Sequence, residues 1–455
     1  MGSFMLGNGT SLAQLSEKML AAAKRAGADH ADVVATQGTS IAIEVRNSAL
    51  EQVERSEGID IGLRVFVGGK MATVSGSDVR DVLLETMAER AVAMAHEALR
   101  DPYLTLATAD QFAEKWDVDA LEIFDPTPEP AADLLESDAR RAEAAARAVG
   151  GVTQVQSASA GFGTSEIHLA TSNGFMGGYR RSNRYISCVA IAGQGAGMER
   201  DYDGDSRIFQ NDLRSAEEIG QNAGERAVSR LAPRKPKTGT YPVLYDERIS
   251  SGLIGHLLSA ISGSAIARGS SWLRDALGKT VLPEHLSLIE DPHRPRAGGS
   301  RPFDGEGLAT RSRCIIDNGV LTGWTLDLAN AKKLDMVSTA NAGRGVSTGP
   351  MPTNWNVELT PGQHTRSDLL RDMGTGVLVT SLIGSTINPN TGDYSRGASG
   401  FWVENGEIAY PINEMTIAGN LRDMLCRIIP ANDARAHLSH RVPSLLVEGM
   451  TIAGG

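Results

Sequence analysis

The histidines and carboxylates of this sequence are the side chains whose spacing could support metal-dependent hydrolysis. A catalytic zinc needs three protein ligands and an open position for water, and a helix supplies two of them when histidines stand one turn apart. None of the nine histidines lies in an HExxH motif. His437 and His440 are three residues apart, but no carboxylate or thiol lies at ligand spacing. We therefore do not expect this pair to bind a metal, and we interpret the acidic cluster between His285 and His293 as a chance surface cluster.

A serine nucleophile is suggested by the letters alone, because residues 345–349 read GVSTG. A nucleophile elbow places its serine after a buried strand and before a helix. Here no apolar strand precedes Ser347, and Pro350 follows the motif directly. We therefore interpret this match as a loop without chemistry.

Two polar, glycine-rich segments, 301–313 and 388–402, hold further candidates. Paired carboxylates can carry out general acid–base chemistry, whereas glycine-rich acidic segments are often only turns. We predict that both segments are loops and keep both interpretations of their polar groups open. The polar residues concerned are Asp304, Glu306, Asn388, Asp393, Ser395 and Arg396.

The last candidate is His256, in the segment SSGLIGHLLSAISGS at 250–264. The apolar residues of this segment predict a helix, although glycines and serines interrupt it. From the residues alone, His256 could be a metal ligand or a packed residue without chemistry.

The elements that would position these groups indicate an α+β protein of two domains. A chain of 455 residues is too long for one ordinary core. Its first part predicts a helix over 11–27, antiparallel strands at 41–45 and 59–67, a hairpin at Gly68-Gly69 and a helix over about 78–99. Because strands pair locally and do not alternate with helices, the α+β class is predicted.

The order of elements recurs further along the chain. AAAKRAG at 21–27 is echoed by AAARAVG at 144–150, and GTSIAIEVRNS at 38–48 is echoed by GTSEIHLATSN at 163–173. Both echoes keep nearly the same spacing. We interpret them as an internal duplication of a helix-plus-hairpin unit; the alternative is that such alanine-rich helices and Gly-Thr-Ser turns are simply common.

The segment LAPRKPKTGT at 231–240 is the best linker, because its prolines and basic residues precede an apolar run. We place an N-terminal helix-plus-antiparallel-sheet domain at 1–232 and a C-terminal, mainly antiparallel β domain at 241–455. The C-terminal domain is predicted to hold one helix followed by strands and turns. Asn318-Gly319 and Asn405-Gly406 predict hairpins within it.

The amino-acid composition limits which binding partners and which cellular compartment we expect for this protein. The formal net charge is −11 and aromatic residues make up 5%, which argues against nucleic acid because phosphates require a basic face. No run of about 18 apolar residues predicts a membrane span, and the N-terminus lacks the basic and apolar regions of a secretory signal. Three widely spaced cysteines fit a reducing compartment. We therefore expect a cytoplasmic protein without a nucleic-acid or membrane partner.

Several long segments carry a resemblance to a known family. The most specific is INPNTGDYSRGASGFWVENGEIAYPINEMTIAGNLRDML at 387–425. RPFDGEGLATRSRCIIDNGVLTGWTLD at 301–327, STANAGRG at 338–345 and VERSEGIDIGLRVFVGGKMATVSGSD at 53–78 agree with it. Over nearly its whole length the chain resembles the TldD/PmbA family, and within it the PmbA branch, also called TldE.

The resemblance implies a fold and a function. In the family, TldD and TldE form a cytosolic heterodimer that cleaves peptides and unfolded polypeptides. TldD carries zinc on an HExxxH helix, completed by a cysteine late in the chain, whereas TldE has the same fold without a metal centre. This chain would be the TldE-like subunit of a zinc metalloprotease. Zinc would belong to the TldD-type partner, and this chain would have no cofactor and no catalytic residue of its own.

The metal-site helix of TldD can be aligned with GLIGHLLSA in this sequence. Gly255 then takes the place of the first histidine, His256 that of the glutamate and Ala260 that of the second histidine. The late cysteine has no counterpart, because HRVPSLLVEGMTIAGG at 440–455 contains no thiol. A single histidine cannot hold a catalytic zinc, so we expect a structural or interface role for His256.

The glycines of the same helix need another explanation. Gly252, Gly255 and Gly263 each cost a helix about 1 kcal/mol relative to alanine. We expect a partner helix or a bound peptide to approach them closely, in preference to a neighbouring strand of the same chain. The residues predicted to contact peptide or partner are Gly252, His256, Asp304, Glu306, Asn388, Asp393, Ser395 and Arg396.

Two other functions stay open at this point. The chain could be an autonomous homodimeric hydrolase that uses Asp304, Glu306 or Asp393, with a metal recruited by His437 and His440. It could also be a peptide-binding regulator without turnover. A homodimer in the absence of a TldD-type partner is open as well.

Overall fold

The computed structural model describes residues 11–454. Its first half contains the order helix–strand–strand–strand–helix twice. The first copy consists of α1 Leu12–Arg25, β1 His30–Arg46, β2 Ala49–Val67, β3 Lys70–Gly76 and α2 Asp81–Glu97. The second copy consists of α3 Ala132–Ala148, β4 Val152–Thr171, β5 Met176–Ala192, β6 Glu199–Arg207 and α4 Ala216–Ser229.

The strands of both copies form one antiparallel sheet in the order β3-β2-β1-β4-β5-β6. The copies meet where β1 pairs with β4, and there the two Gly-Thr-Ser sequences lie opposite each other. Thr39 pairs with Thr164, and Ser40 pairs with Gly163. The sheet therefore has approximate two-fold symmetry about the two threonines, which confirms the predicted internal duplication.

One face of this sheet is covered by helices, because alternate residues of its strands are apolar. In β1, Val33 packs with α1 and α2, whereas Ile41 and Ile43 pack with α3 and α4. The opposite face turns toward the second half of the chain, where Val34 and Phe303 belong to one apolar cluster.

The second half contains short helices between its strands. The elements up to residue 359 are β7 Gly239–Tyr245, α5 Glu247–Ala260, α6 Gly263–Ala267, β8 Leu288–Glu290, β9 Arg313–Asp317, β10 Val320–Leu321, α7 Leu328–Lys333, β11 Ala342–Gly343, β12 Met351–Pro352 and β13 Val357–Leu359. The remaining elements are α8 Arg366–Met373, β14 Gly376–Ile387, β15 Asp393–Glu404, β16 Glu407–Asn420, α9 Leu421–Leu425, β17 Ile429–Pro430, β18 His440–Arg441 and β19 Leu445–Ala453.

Five of these strands close into a ring of hydrogen-bonded neighbours, in the order β16-β15-β14-β7-β19, because β16 also pairs with β19. The neighbours are antiparallel except for β7 and β14, which are parallel. A second sheet has the order β10-β9-β8-β13-β18. Buried apolar residues, among them Tyr245, Trp402 and Met450, join the ring to α5 in one core.

The predicted α+β class is confirmed, as are the hairpins at Gly68-Gly69, Asn318-Gly319 and Asn405-Gly406. Two expectations for the second half are wrong. Within the described residues this half has four short helices besides α5, because helices of one or two turns leave little periodicity in a sequence. Residues 393–402, where a loop is predicted, lie in strand β15.

The domain boundary between 232 and 241 remains a prediction; α4 ends at Ser229 and β7 begins at Gly239. The interpretation of the extreme N-terminus concerns residues that lie mostly outside the described range. From residue 11 to residue 454, no helix is long and apolar enough to cross a membrane.

Candidate functional site

Helix α5 carries the three positions aligned with a zinc site and follows strand β7 directly. It begins here because the side chain of Asp246 accepts a hydrogen bond from the amide of Arg248 and so caps the first turn. Leu253, Ile254 and Leu257 are buried against the ring of strands. The opposite face is partly or fully exposed and consists of Gly252, Gly255, His256 and Ser259.

The glycines of α5 and α6 differ in what surrounds them. Apart from the adjacent residues and the backbone of the helix itself, no atom of residues 11–454 lies within 4 Å of the position that a Cβ would take at Gly252 or Gly255. At Gly263, in α6, a Cβ would lie 2.6 Å from Leu326 Cδ2 and 3.0 Å from the carbonyl oxygen of Thr325. Packing within the chain therefore explains Gly263, and it does not explain the two glycines on the exposed face.

His256 packs edge-on against Tyr394, with 5.9 Å between the ring centroids. Its Nε2 is buried and has no hydrogen-bond partner in the described part of the chain. Burial lowers the pKa of this imidazole, and the positive charge of Arg396 lowers it further. The ring is therefore neutral near pH 7, and one of its nitrogens is unpaired.

The donor groups around α5 do not fit a catalytic zinc, which needs three protein ligands. Gly255 and Ala260 supply no side-chain ligand atom. Among residues 11–454, no cluster of three or more histidine, cysteine, aspartate or glutamate side chains could hold a metal ion. His437 and His440 belong to no such cluster, and His437 instead places its Nε2 3.3 Å from Asp205 Oδ1.

Asp304 and Glu306 are buried and organise the loop around them. Oδ1 of Asp304 accepts hydrogen bonds from the amides of Glu306 and Leu308, at 2.9 and 3.0 Å, and Oδ2 accepts one from Ala342 at 3.1 Å. Glu306 accepts one from the amide of Leu328 at 2.9 Å. Neither carboxyl is exposed, so their contact with peptide or partner stays a prediction that this geometry does not support.

Asn388 and Asp393 shape the turn before β15. Oδ1 of Asn388 accepts a hydrogen bond from the amide of Asn390 at 3.0 Å. Asp393 accepts one from the hydroxyl of Thr391 at 2.6 Å. Both residues are exposed, so the predicted contact role is compatible with their positions and stays a prediction.

Ser395 and Arg396 lie half-buried on strand β15. The structure brings Arg396 and Gly252 to one cavity of about 800 Å³, which lies between the first turn of α5, β6 and the β14–β15 hairpin. Asp304 and Glu306 do not line it. Of the residues predicted from sequence, Gly252 and Arg396 therefore line one cavity, and the two buried carboxyls do not.

Sequence reasoning missed the charged side chains of β6 and their partners at the same cavity. Asp201 is buried and pairs with Arg230 at 3.3 Å and with Arg248 at 3.0 Å. The signal that could have found them is the alternation of acidic residues in ERDYDGDSR at 199–207. Residues two apart in a strand lie on one face of the sheet, so this pattern predicts a row of carboxylates that needs arginine partners.

Three family models match most of the chain. The model of PmbA/TldA metallopeptidase domain 1 matches residues 31–95, the model of the central domain matches 121–231, and the model of the C-terminal domain matches 238–454. These matches define the class of protein as a metallopeptidase-type fold.

Two curated relatives identify the family and the branch within it. The metalloprotease PmbA of Escherichia coli O157:H7 is 35% identical over 428 residues, which are 94% of this chain and 92% of the relative. A PmbA homologue of Haemophilus influenzae is 37% identical over 436 residues, 95% of this chain and 94% of the relative. The chain belongs to the TldD/PmbA family and to its PmbA, or TldE, branch.

Other similarities cover both branches of the family. The crystal structure of TldE from Thermococcus kodakarensis has the same fold, with a TM-score of 0.83 at 21% identity, over 97% of this chain and 100% of that chain. A metalloprotease TldD homologue of Buchnera aphidicola is 26% identical over 251 residues, which are 52% of this chain and 50% of the relative.

Proposed function

We propose that this chain is the metal-free subunit of a two-chain peptidase and acts with a TldD-type partner that carries zinc. The observation that carries the proposal is the composition of α5. Gly255, His256 and Ala260 supply one neutral imidazole where a metallopeptidase helix would supply two ligands and a base. Gly252 and Gly255 leave the exposed face of this helix open, which suits the close approach of a second polypeptide.

The substrate that we propose is an extended or unfolded polypeptide held by main-chain hydrogen bonds. An unpaired strand edge supports this proposal. Strand β3 pairs with β2 only over residues 61–67. One edge of residues 49–60 therefore has no strand partner in the described part of the chain. Such an edge presents amides and carbonyls to a peptide with little selection of its sequence.

In the complex, zinc bound to the partner would polarise the scissile carbonyl and activate a water molecule. This chain would position the peptide and close one wall of the channel. At the aligned position of the glutamate, α5 carries His256 and no carboxylate, and Asp304 and Glu306 are buried elsewhere. The three cysteines are free thiols, which supports a cytoplasmic location.

Co-expression with a TldD-type protein tests this function. We expect the two chains to copurify, and we expect the pair to cleave a labelled unfolded polypeptide much faster than either chain alone. Equal cleavage by the partner with and without this chain would contradict the subunit role and favour a regulator without turnover. Cleavage by this chain alone would favour an autonomous hydrolase.

A further inference from the structure

Charged side chains surround the cavity beside α5. A peptide that pairs with a strand edge does not explain them. Its volume is about 800 Å³. Asp201 pairs with Arg230 and Arg248, and Glu199 lies 3.7 Å from Arg230. The negative charges of Glu199 and Asp201 are therefore neutralised by the positive charges of Arg230 and Arg248.

Two further arginines line the cavity without a carboxylate partner. Nε of Arg396 donates to the carbonyl oxygen of Gly384 at 2.7 Å, and Nη1 of Arg200 donates to Gln156 Oε1 at 3.4 Å. Within residues 11–454, neither guanidinium forms an ion pair with an acidic side chain. The cavity therefore carries an excess of positive charge, which complements an anion.

A buried hydroxyl group lines the same cavity without a hydrogen-bond partner. Thr380, on β14, is 7% exposed, and its Oγ1 has no partner among the described residues. A buried hydroxyl in this state costs free energy unless a ligand or a water satisfies it. Gly384 holds the Nε of Arg396, and the Nη groups of that guanidinium form no hydrogen bond or ion pair with the described residues.

We propose that this cavity is a subsite for a carboxylate group of the bound polypeptide, a claim that rests on the proposed peptide-binding function. A planar carboxylate accepts two parallel hydrogen bonds from a guanidinium, and a neutral amide cannot match that geometry and charge. Arg396 would supply these bonds, and the hydroxyl of Thr380 would donate a further one. The carboxylate belongs to the C-terminus of the peptide or to an Asp or Glu side chain.

The cavity lies beside β6, which three strands of the sheet separate from β2, so the carboxylate would belong to a stretch of polypeptide that lies along α5 and not to the residues added at the β2 edge. Gly252 lines the cavity and precedes His256 by one helical turn, about 6 Å along the helix axis. An extended peptide over the open face of the helix would therefore reach the cavity within about two residues of His256.

Peptide-binding measurements on the purified chain, and on its complex with a TldD-type partner, test this subsite. The probes are three fluorescent decapeptides of one otherwise neutral sequence: a C-terminal amide, a free C-terminal carboxylate, and an amide with one internal glutamate in place of glutamine. We expect at least one charged peptide to bind about tenfold more tightly than the neutral one. The peptide that gains affinity identifies the source of the carboxylate.

Two substitutions and one control assign the preference to the cavity. Arg396→Gln and Thr380→Val should each reduce the preference for the charged peptide. The control is Arg90→Gln, which changes an exposed arginine on α2, on the helix-covered face of the sheet. This variant should keep the preference for the charged peptide. If Arg396→Gln does not fold, the nearly isosteric Thr380→Val tests the subsite through the same comparison of charged and neutral peptides.

A failure of the subsite alone and a failure of the subunit role alone give different results. Equal affinity for charged and neutral peptides, or a preference that survives both substitutions, would overturn the subsite and leave the proposed function standing. If the chain binds the charged peptide through Arg396 but does not accelerate cleavage by the partner, the subsite stands and the subunit role fails. Absence of any peptide binding would overturn both.

Discussion

Among single residues, Glu306 is a buried carboxyl whose protonation differs between the folded and the unfolded chain. Burial, together with the nearby charge of Asp304, raises its pKa from 4.5 to about 8. Burial likewise raises the pKa of Asp304 from 3.8 to about 6, although three backbone amides act in the opposite direction. Folding therefore makes both groups hold their protons to higher pH.

This difference predicts a stability that falls as the pH rises. Between about pH 4.5 and about pH 8 the folded protein holds more protons at Glu306 than the unfolded chain does, so the free energy of unfolding decreases with pH in that window. Glu306→Gln keeps an acceptor for the amide of Leu328 and removes the titration. We expect the variant to show a flatter dependence of unfolding temperature on pH, with its largest gain over the native chain at alkaline pH.

Thermal unfolding between about pH 5 and about pH 9 measures this effect. Glu89→Gln, on the exposed side of α2, is the matched control and should keep the native profile. A Glu306→Gln profile that runs parallel to the native one would show that Glu306 is ionised in the folded protein.

At the scale of elements, α5 and α6 place their glycines in opposite surroundings. Gly255 borders open space, whereas Gly263 packs against Leu326 and the backbone of Thr325. Helix propensity alone favours alanine over glycine by about 1 kcal/mol. The surroundings therefore decide the sign of each substitution.

Gly255→Ala should raise the unfolding temperature of the isolated chain slightly and weaken its binding to a TldD-type partner or peptide. Gly263→Ala should lower the unfolding temperature, because its Cβ would lie 2.6 Å from Leu326 Cδ2. Thermal unfolding and a titration of partner binding measure both effects. If the Gly255→Ala chain is stabilised and still binds as tightly as the native chain, this helix face is not a contact surface.

Elements that depend on neighbouring residues could be predicted from the sequence. Gly68-Gly69 and Asn405-Gly406 adopt positive φ at both turn positions, as their residue types favour. The ring of strands could not be predicted, because β7 pairs with β14 and β16 pairs with β19 across long stretches of chain. The first part of β15 could not be predicted, because its glycines, Asp393 and Ser395 hide the alternation of a strand.

The residues of the candidate site likewise divide into those that could be located from the sequence and those that could not. Gly255, His256 and Ala260 could be located by resemblance, since they lie within two consecutive turns of one helix. The cavity beside them could not, because Asp201, Thr380 and Arg396 come from separate strands. Their burial and their pairing depend on the packing of the two halves of the chain, which no local pattern records.

At the scale of the whole molecule, a buried ion cluster joins the duplicated sheet to the second half. Asp32, on β1, accepts a hydrogen bond from Arg64 Nε at 3.0 Å, and Nη1 of Arg344 lies 2.6 Å from its Oδ1. All three side chains are almost fully buried. In the same contact Gly62 faces Val346 so closely that a Cβ would collide with the carbonyl oxygen.

Asp32→Asn should destabilise the protein by about 3–5 kcal/mol, because it leaves two buried guanidiniums without a counter-charge. Burial acts to raise the pKa of Asp32, but Arg344 and Arg64 outweigh it and lower the pKa. Denaturant unfolding measures the loss. The control Asp78→Asn removes only an exposed ion pair with Arg80 and should change the free energy of unfolding little. If Asp32→Asn loses no more stability than this control, the cluster does not join the two halves.

The most direct measurement is the zinc content of the purified chain after incubation with zinc and dialysis, made together with an assay of peptide cleavage. We predict that the isolated chain retains no stoichiometric zinc and cleaves nothing, whereas its complex with a TldD-type protein contains zinc and cleaves peptide. One zinc per chain, lost in His256→Ala and accompanied by cleavage without a partner, would contradict the assignment as a metal-free subunit.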